Sequence, residues 1–177
     1  MSLITKTYLE GLDAYTINTP KPTRGLDALS MSELSPQPTP ISTSTALDED
    51  LDGEAVDQKE YRSMIGSLLY LTATRPDIQF DVGLCAQYQA SPHTSHKQVV
   101  KHIFRYLKFT PEFGLWYSTD SSLVLVGFSD ADFGGCRLDR KSTSGTCHFL
   151  DTSLVSWSSR KQASVALSST SRIRCRC

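Results

Sequence analysis

Hydrophobic positions in the middle of the chain recur at helical spacing. Tyr61, Ile65 and Leu68 follow one another at steps of four and three, which places them on one face of a helix. The pattern predicts an amphipathic helix that begins after Asp57 and ends before the Arg75–Pro76 pair.

Two further helices are predicted before the period changes. Pro76 suits the first turn of a helix over residues 76–89, whose two apolar stripes predict that it is mostly buried. The third helix covers residues 95–108. Its predicted apolar face consists of Val99, Val100, Ile103, Phe104 and Leu107.

After Pro111 the apolar period becomes two, which is typical of strands. Residues 115–117 are a short apolar run, and strands are predicted at 123–128, 143–150 and 154–158. Three neighbouring strands on short links form an antiparallel meander. The predicted fold class is therefore α+β, with three helices followed by a three-stranded antiparallel meander.

The segment before the helices has a different composition. Five of the eight prolines lie between residues 20 and 40, and residues 26–60 carry nine acids against one base. A chain rich in Pro, Ser, Thr and acid buries too little apolar surface to offset the cost of ordering its backbone. Residues 16–56 are therefore predicted to be a disordered linker, with an acidic docking motif as the alternative.

Composition restricts the class of protein. The 177 residues include 18 Lys and Arg against 19 Asp and Glu, so there is no overall attraction to a polyanion. There is no apolar run of spanning length and no signal peptide at the N-terminus, and five cysteines without a repeating spacing favour a reducing compartment. We expect an intracellular protein, in the cytoplasm or the nucleus, without a membrane partner.

Asp130 and Asp132 are the most suggestive candidates for chemistry. They follow a strongly apolar strand, where carboxylates are well placed to hold a hard divalent cation such as Mg²⁺. The alternative is an ordinary turn at the end of a strand. Two-metal hydrolysis needs several convergent carboxylates, and neither Asp139 nor Asp151 is a convincing second ligand.

Basic residues of the third helix recur at steps of four, four and three. Lys97, Lys101, Arg105 and Lys108 therefore share one stripe, which could follow a phosphate backbone or be simply a solvated face. The nearby His93, His96 and His102 lack acids or cysteines at metal spacing, so they are interpreted as surface or capping residues. The sequence contains no dinucleotide-binding, Walker or nucleophile-elbow motif.

Six motifs, in order, resemble the Pol polyprotein of copia-type LTR retrotransposons. They are YRSMIGSLLYL at 61–71, TRPDI at 74–78, HIFRYLK at 102–108, GFSDADF at 127–133, DRKSTSG at 139–145 and VSWSSRKQ at 155–162. The similarity extends from about residue 56 to residue 170.

This resemblance implies a position within Pol. Residues 1–15 would be a weak remnant of the end of the reverse transcriptase, followed by the linker at 16–56. Residues 57–118 would correspond to the connection region of the reverse transcriptase, and 119–177 to a truncated ribonuclease H-like domain. The implied activities are RNA-directed DNA synthesis and cleavage of RNA–DNA hybrids, with Mg²⁺ as cofactor, nucleic acid as partner and Asp130 as the first metal-binding aspartate.

The C-terminal sequence departs from the family. The resemblance implies a catalytic glutamate where this chain has Ser171, and the remaining catalytic acids and the polymerase aspartates are missing. We therefore expect Asp130 to be vestigial, the fragment to be inactive and no metal to be bound.

Two alternatives remain open. One is a nucleic-acid-binding remnant that uses basic residues of the third helix and of the loop after the first strand. Its candidate residues are Lys97, Lys101, Arg105, Lys108, Arg137, Arg140 and Lys141. The other is a wrongly assigned gene model without a cellular function.

Overall fold

The computed structural model describes residues 4–9, 12–17, 35–42, 47–118 and 123–165. The chain divides into two units. The helical unit spans Thr19–Phe113, and the β unit combines Met1–Asn18 with Gly114–Cys177. Much of the predicted linker, and Ser171 with the rest of the C-terminal sequence, lie outside the described residues.

Helix α1 (Gln58–Leu71) agrees with the helix predicted after Asp57. The Asp57 carboxylate accepts a hydrogen bond from the Glu60 N–H at 2.6 Å, so it caps the first turn. Tyr61, Ile65 and Leu68 are each fully buried. Burial of such side chains contributes roughly 1.5–3 kcal/mol each.

The second predicted helix is shorter than expected and begins differently. Pro76–Ile78 form a 3₁₀ turn, and α2 covers Gln79–Ala86. Only one of its two apolar stripes is uniformly buried. Val82 and Cys85 are fully buried and Tyr88 is 5% exposed, but the Phe80 side chain is 51% exposed, so the prediction of burial was wrong at Phe80.

Helix α3 (Thr94–Phe109) contacts both α1 and α2 and completes the core of the helical unit. Val100, Ile103, Phe104 and Leu107 are buried, in agreement with the predicted apolar face, whereas Val99 is only half-buried. The three predicted helices are thus confirmed as elements.

Residues 47–56, at the end of the predicted linker, lie against the start of α3. Leu47 is buried, the Val56 N–H donates to the Pro92 carbonyl at 3.1 Å, and the Thr94 N–H donates to the Glu54 carbonyl at 2.9 Å. This part of the acidic segment has a defined structure because its backbone groups find partners on the helical unit.

Three strands form the predicted antiparallel meander in the β unit. They are β4 (Leu125–Ala131), β5 (Thr143–Leu150) and β6 (Ser153–Lys161), in the order β4-β5-β6. Asp151 has a left-handed φ of 54° in the two-residue link between β5 and β6. This sheet confirms the predicted fold class of three helices followed by a three-stranded antiparallel sheet.

A second antiparallel sheet in the β unit was not predicted. It consists of β1 (Ile4–Leu9), β2 (Leu12–Ile17) and β3 (Leu115–Ser118), in the order β1-β2-β3. Strand β3 also lies beside β6, where the Tyr117 hydroxyl donates to the Leu154 carbonyl at 2.8 Å.

The two faces of the β4-β5-β6 sheet differ in polarity. Phe128, Cys147 and Trp157 are paired across the three strands and therefore share one face. Thr146 and Ser158 are paired on the opposite face, where their hydroxyl oxygens are 2.8 Å apart. The Phe128 side chain is 58% exposed, so the apolar face is open around it.

Candidate functional site

Asp130 lies near the end of β4, opposite Gly145 of β5. Its side chain is exposed, and a Cβ added at Gly145 would meet nothing within 4 Å, so the space beside it on the sheet is open. Among the described residues, no group of three or more His, Cys, Asp and Glu side chains is arranged to hold a metal ion.

Asp132 has a structural role in the loop that follows β4. Its carboxylate accepts a short hydrogen bond from the Thr143 N–H, and its own N–H donates to the Thr143 carbonyl at 3.2 Å. A Cβ at Gly135 would overlap the Asp132 carboxylate, which explains the glycine at that position. Asp132 thus closes the base of the loop.

Asp139 forms ion pairs with neighbouring lysines. Its carboxylate is 2.9 Å from the Lys161 ammonium and 3.6 Å from that of Lys141. Desolvation acts to raise its pKa, but hydrogen bonds, that from Lys161 foremost, lower the pKa to about 2. The Asp139 carboxylate is therefore occupied by ion pairs with two lysines.

The described residues do not fit the Mg²⁺ pair that the resemblance implies. Two-metal catalysis requires several carboxylates that converge on ions about 4 Å apart. Asp130 is exposed, while Asp132 and Asp139 are bound to protein donors. No catalytic step through a metal follows from this arrangement.

The basic residues of the α3 stripe differ in the contacts that they make with the rest of the protein. The Lys97 ammonium is 2.7 Å from the Glu60 carboxylate, so its charge is partly neutralised. Lys101 has no ion pair within the described part of the chain. Lys108 is exposed and lies 5.7 Å from the centre of the Phe109 ring.

The Arg105 side chain is half-buried. Its Nε atom is buried without a hydrogen-bond partner among the described atoms. The side chain lines a cavity together with Asp48 and Asp50.

The other three candidate basic residues belong to the β unit. Arg137, Arg140 and Lys141 lie in the loop between β4 and β5. The Cys136 N–H donates to the Lys141 carbonyl at 3.1 Å, and the Arg140 N–H donates to the Cys136 carbonyl at 2.9 Å. The seven predicted nucleic-acid contacts are thus four residues on one unit and three on the other.

A buried charged network was not predicted from the sequence. The Arg75 side chain is 2% exposed and binds both carboxylate oxygens of Asp77, while the Tyr106 hydroxyl donates to Asp77 at 2.8 Å. Arg75 also donates to the Thr110 carbonyl and hydroxyl at 3.0 and 2.8 Å. The network joins the turn before α2 to the end of α3. These residues lie in or beside the TRPDI and HIFRYLK motifs. The two motifs are therefore the sequence signal from which the network could have been found.

His96 is buried and holds the start of α3. Its Nδ1 accepts a hydrogen bond from the His93 N–H at 3.0 Å, and its Nε2 is 2.8 Å from the Asp48 carbonyl oxygen. Both contacts are satisfied together only by the neutral imidazole protonated on Nε2. Its capping role agrees with the sequence interpretation, and its complete burial excludes a surface role.

The proteins similar to this chain include long polyproteins from transposons and several shorter proteins. The chain is 40% identical over 135 residues to a retrovirus-related Pol polyprotein from transposon RE1 of Arabidopsis thaliana, covering 76% of this chain and 9% of that protein. It is 40% identical over 114 residues to the uncharacterized mitochondrial protein AtMg00810 of the same organism, covering 64% of this chain and 48% of that protein.

A third relative is shorter. The chain is 43% identical over 111 residues to secreted RxLR effector protein 161 of Plasmopara viticola, covering 62% of this chain and 78% of that protein. The chain belongs to the same family as these proteins and is homologous to Pol polyproteins of copia-type retrotransposons. It spans about half the length of the mitochondrial relative and about a tenth of the polyproteins.

Two other comparisons gave no match. No protein-family model matches the chain, and no solved structure matches it either. Within the described residues, no helix has both the length and the apolar character needed to cross a bilayer.

Proposed function

We propose that this chain is a non-catalytic segment of a retrotransposon Pol polyprotein. In this proposal residues 57–118 correspond to the connection region of the reverse transcriptase, and residues 119–177 to a ribonuclease H-like region with Asp130 as a vestigial metal ligand. The homology to Pol polyproteins and the order of helices and meander support this assignment.

The environment of Asp130 is the observation that supports the proposed lack of catalytic activity. The carboxylate stands beside Gly145 rather than beside a second acid, and the nearby Asp132 is used by the loop. A lone exposed carboxylate does not hold two divalent ions against their hydration.

Cleavage of an RNA–DNA hybrid in the presence of Mg²⁺ or Mn²⁺ tests this proposal. We expect the full chain and its Asp130→Asn variant to give the same background rate. Turnover by the natural chain that disappears in Asp130→Asn would overturn the proposal, because it would show that Asp130 works in a complete site.

A second candidate function is binding of nucleic acid through α3. The helix carries four basic residues and no acidic residue, so its charge has a single sign. Glu60 of α1 pairs with Lys97, whereas Lys101 has no ion pair within the described part of the chain. Such charges bind phosphates by releasing condensed counterions.

The salt dependence of binding to an RNA–DNA hybrid tests this second function. We expect Lys101→Ala to weaken binding and to lower the slope of log K against log salt by about 0.9. Lys97→Ala, on the same helix, is the matched control and should have a smaller effect because Glu60 already pairs with Lys97. Binding that does not change with salt would contradict the proposal.

A further inference from the structure

A cavity of about 340 Å³ lies in the helical unit, beside α3 and the acidic segment that precedes α1. Its charged lining residues are Asp48, Asp50 and Arg105, and its apolar lining residues are Ile41, Leu47 and Val99. Cavities of about 300–1,000 Å³ with mostly apolar walls and a few polar groups are typical small-molecule sites. The size and the lining of this cavity therefore suit a small organic ligand.

Arg105 brings a positive charge to the cavity without a partner for it. Its Nε atom is buried and has no hydrogen-bond partner among the described atoms. Arg105 also forms no ion pair with Asp48 or Asp50, although all three residues line the same cavity. Buried polar groups in proteins usually have partners, because an unpaired one costs free energy. A guanidinium can only donate, so the partner that Arg105 lacks is a hydrogen-bond acceptor.

The two aspartates bring the opposite kind of group to the cavity. The Asp50 carboxylate accepts a hydrogen bond at 2.6 Å from the hydroxyl of Ser95, which also lines the cavity. That bond is the main reason why the pKa of Asp50 is lowered, so Asp50 is ionised at neutral pH. The Asp48 carboxylate accepts from the Asp50 N–H at 3.1 Å. An ionised carboxylate only accepts and has further lone pairs, so a ligand beside it must donate.

We propose that this cavity binds a guanine base. Guanine has two acceptors, O6 and N7, on one edge, and its N1–H and amino group are neighbouring donors. The acceptor edge suits Arg105, and the donors suit Asp48 and Asp50. Adenine and cytosine have an amino donor without an adjacent ring N–H, and the ring N–H of uracil lies between two carbonyls. Only guanine therefore offers two adjacent donors together with an acceptor edge.

This inference goes beyond the binding of an RNA–DNA hybrid through α3. The bases of a hybrid are paired, whereas a base in a cavity must be unpaired, as it is in a free nucleotide or a single strand. Lys101 lies four residues before Arg105 on α3, so the two residues are neighbours on the helix surface. Lys101 is therefore the candidate for contact with the phosphate attached to the base.

Titration calorimetry of the full chain with guanosine monophosphate tests this proposal. Inosine monophosphate lacks only the amino group of guanine and should bind about tenfold more weakly, because one donor to the carboxylates is lost. Adenosine monophosphate should bind more weakly still. A thymidine oligonucleotide with one guanine shows whether a single strand can also reach the cavity.

A pair of matched variants connects the binding to the cavity. Asp48→Asn keeps the backbone carbonyl that contacts His96 but removes the charge, and should weaken binding of guanosine monophosphate by about tenfold. Asp52→Asn is the control, because Asp52 is exposed and belongs to the same acidic segment. Its affinity should equal that of the natural chain.

Three results would overturn the proposal. They are no binding of guanosine monophosphate by the natural chain, equal affinity for adenosine monophosphate, and equal affinity of the two variants. Binding of a free amino acid such as arginine in place of the nucleotide would also overturn it, because an amino acid likewise combines an acceptor with donors. Salt-dependent binding of a hybrid duplex is measured separately, so failure of the base site would leave the second proposed function standing.

Discussion

Asp81 is a carboxylate in an unfavourable place. It lies in the first turn of α2, and burial, followed by the negative charge of Asp77, raises its pKa to about 6. Asp77 itself is ionised and held by Arg75 and Tyr106. The protein therefore keeps one acid of this pair charged and makes ionisation of the other costly.

This arrangement predicts a pH-dependent loss of stability. Because the folded-state pKa of Asp81 is above the unfolded value of about 3.9, the favourable neutral form is fully present below that value. Its contribution is lost as the pH rises through about 6. Asp81→Asn should raise the free energy of unfolding at pH 7 by about 1–3 kcal/mol, as measured by urea denaturation.

The control for this prediction is the same comparison at low pH. Below about pH 4 the natural side chain is also neutral, so the variant and the natural chain should have nearly equal stability. A difference that stays constant between pH 4 and pH 7 would show that packing, rather than the charge, causes the effect.

The start of α3 shows what holds one element in place. The imidazole of His96 accepts from the His93 N–H and contacts the Asp48 carbonyl oxygen, while the Ser95 hydroxyl donates to the Asp50 carboxylate at 2.6 Å. The helix start and residues 47–56 are therefore joined by buried and half-buried hydrogen bonds.

Replacement of His96 should release this segment. His96→Ala leaves the Asp48 carbonyl and the His93 N–H without their partner and creates a cavity. The substitution should therefore lower the free energy of unfolding by about 2–4 kcal/mol. Limited proteolysis should then cut faster after Leu51, which is 80% exposed. His102→Ala, which removes one 3.1 Å contact to the Thr39 carbonyl, is the control. Equal cutting rates in both variants would contradict the role of His96.

The elements that the sequence predicts well are those whose signal is local. Tyr61, Ile65 and Leu68 identify α1 because their spacing alone defines a buried face. The attachment of residues 47–56 was missed because its bonds join residues far apart in the chain, such as His96 and Asp48. The composition of residues 47–56 predicted disorder, but hydrogen bonds to the helical unit hold this segment in a defined structure.

The same distinction applies to the candidate site. The position of Asp130 at the end of a strand was predictable from the apolar run before it, and the structure places it in β4. The neutralisation of Lys97 by Glu60 was not predictable, because the two residues lie on different helices. Sequence spacing places charges on one face of a helix but does not reveal which neighbouring element offsets them.

At the scale of the whole molecule, homology and site chemistry diverge. The chain is related to Pol polyproteins over most of its length, yet Asp130 stands beside Gly145, and Asp132 and Asp139 are bound to protein donors. The proposal that the chain is related to Pol polyproteins but is catalytically inactive depends on this arrangement of carboxylates.

Anomalous diffraction from crystals of the full chain soaked in manganese tests this claim most directly. We predict that no pair of ions will be found beside Asp130, because a lone carboxylate does not hold two divalent cations against their hydration. Two manganese ions about 4 Å apart, with Asp130 as a shared ligand, would contradict the account.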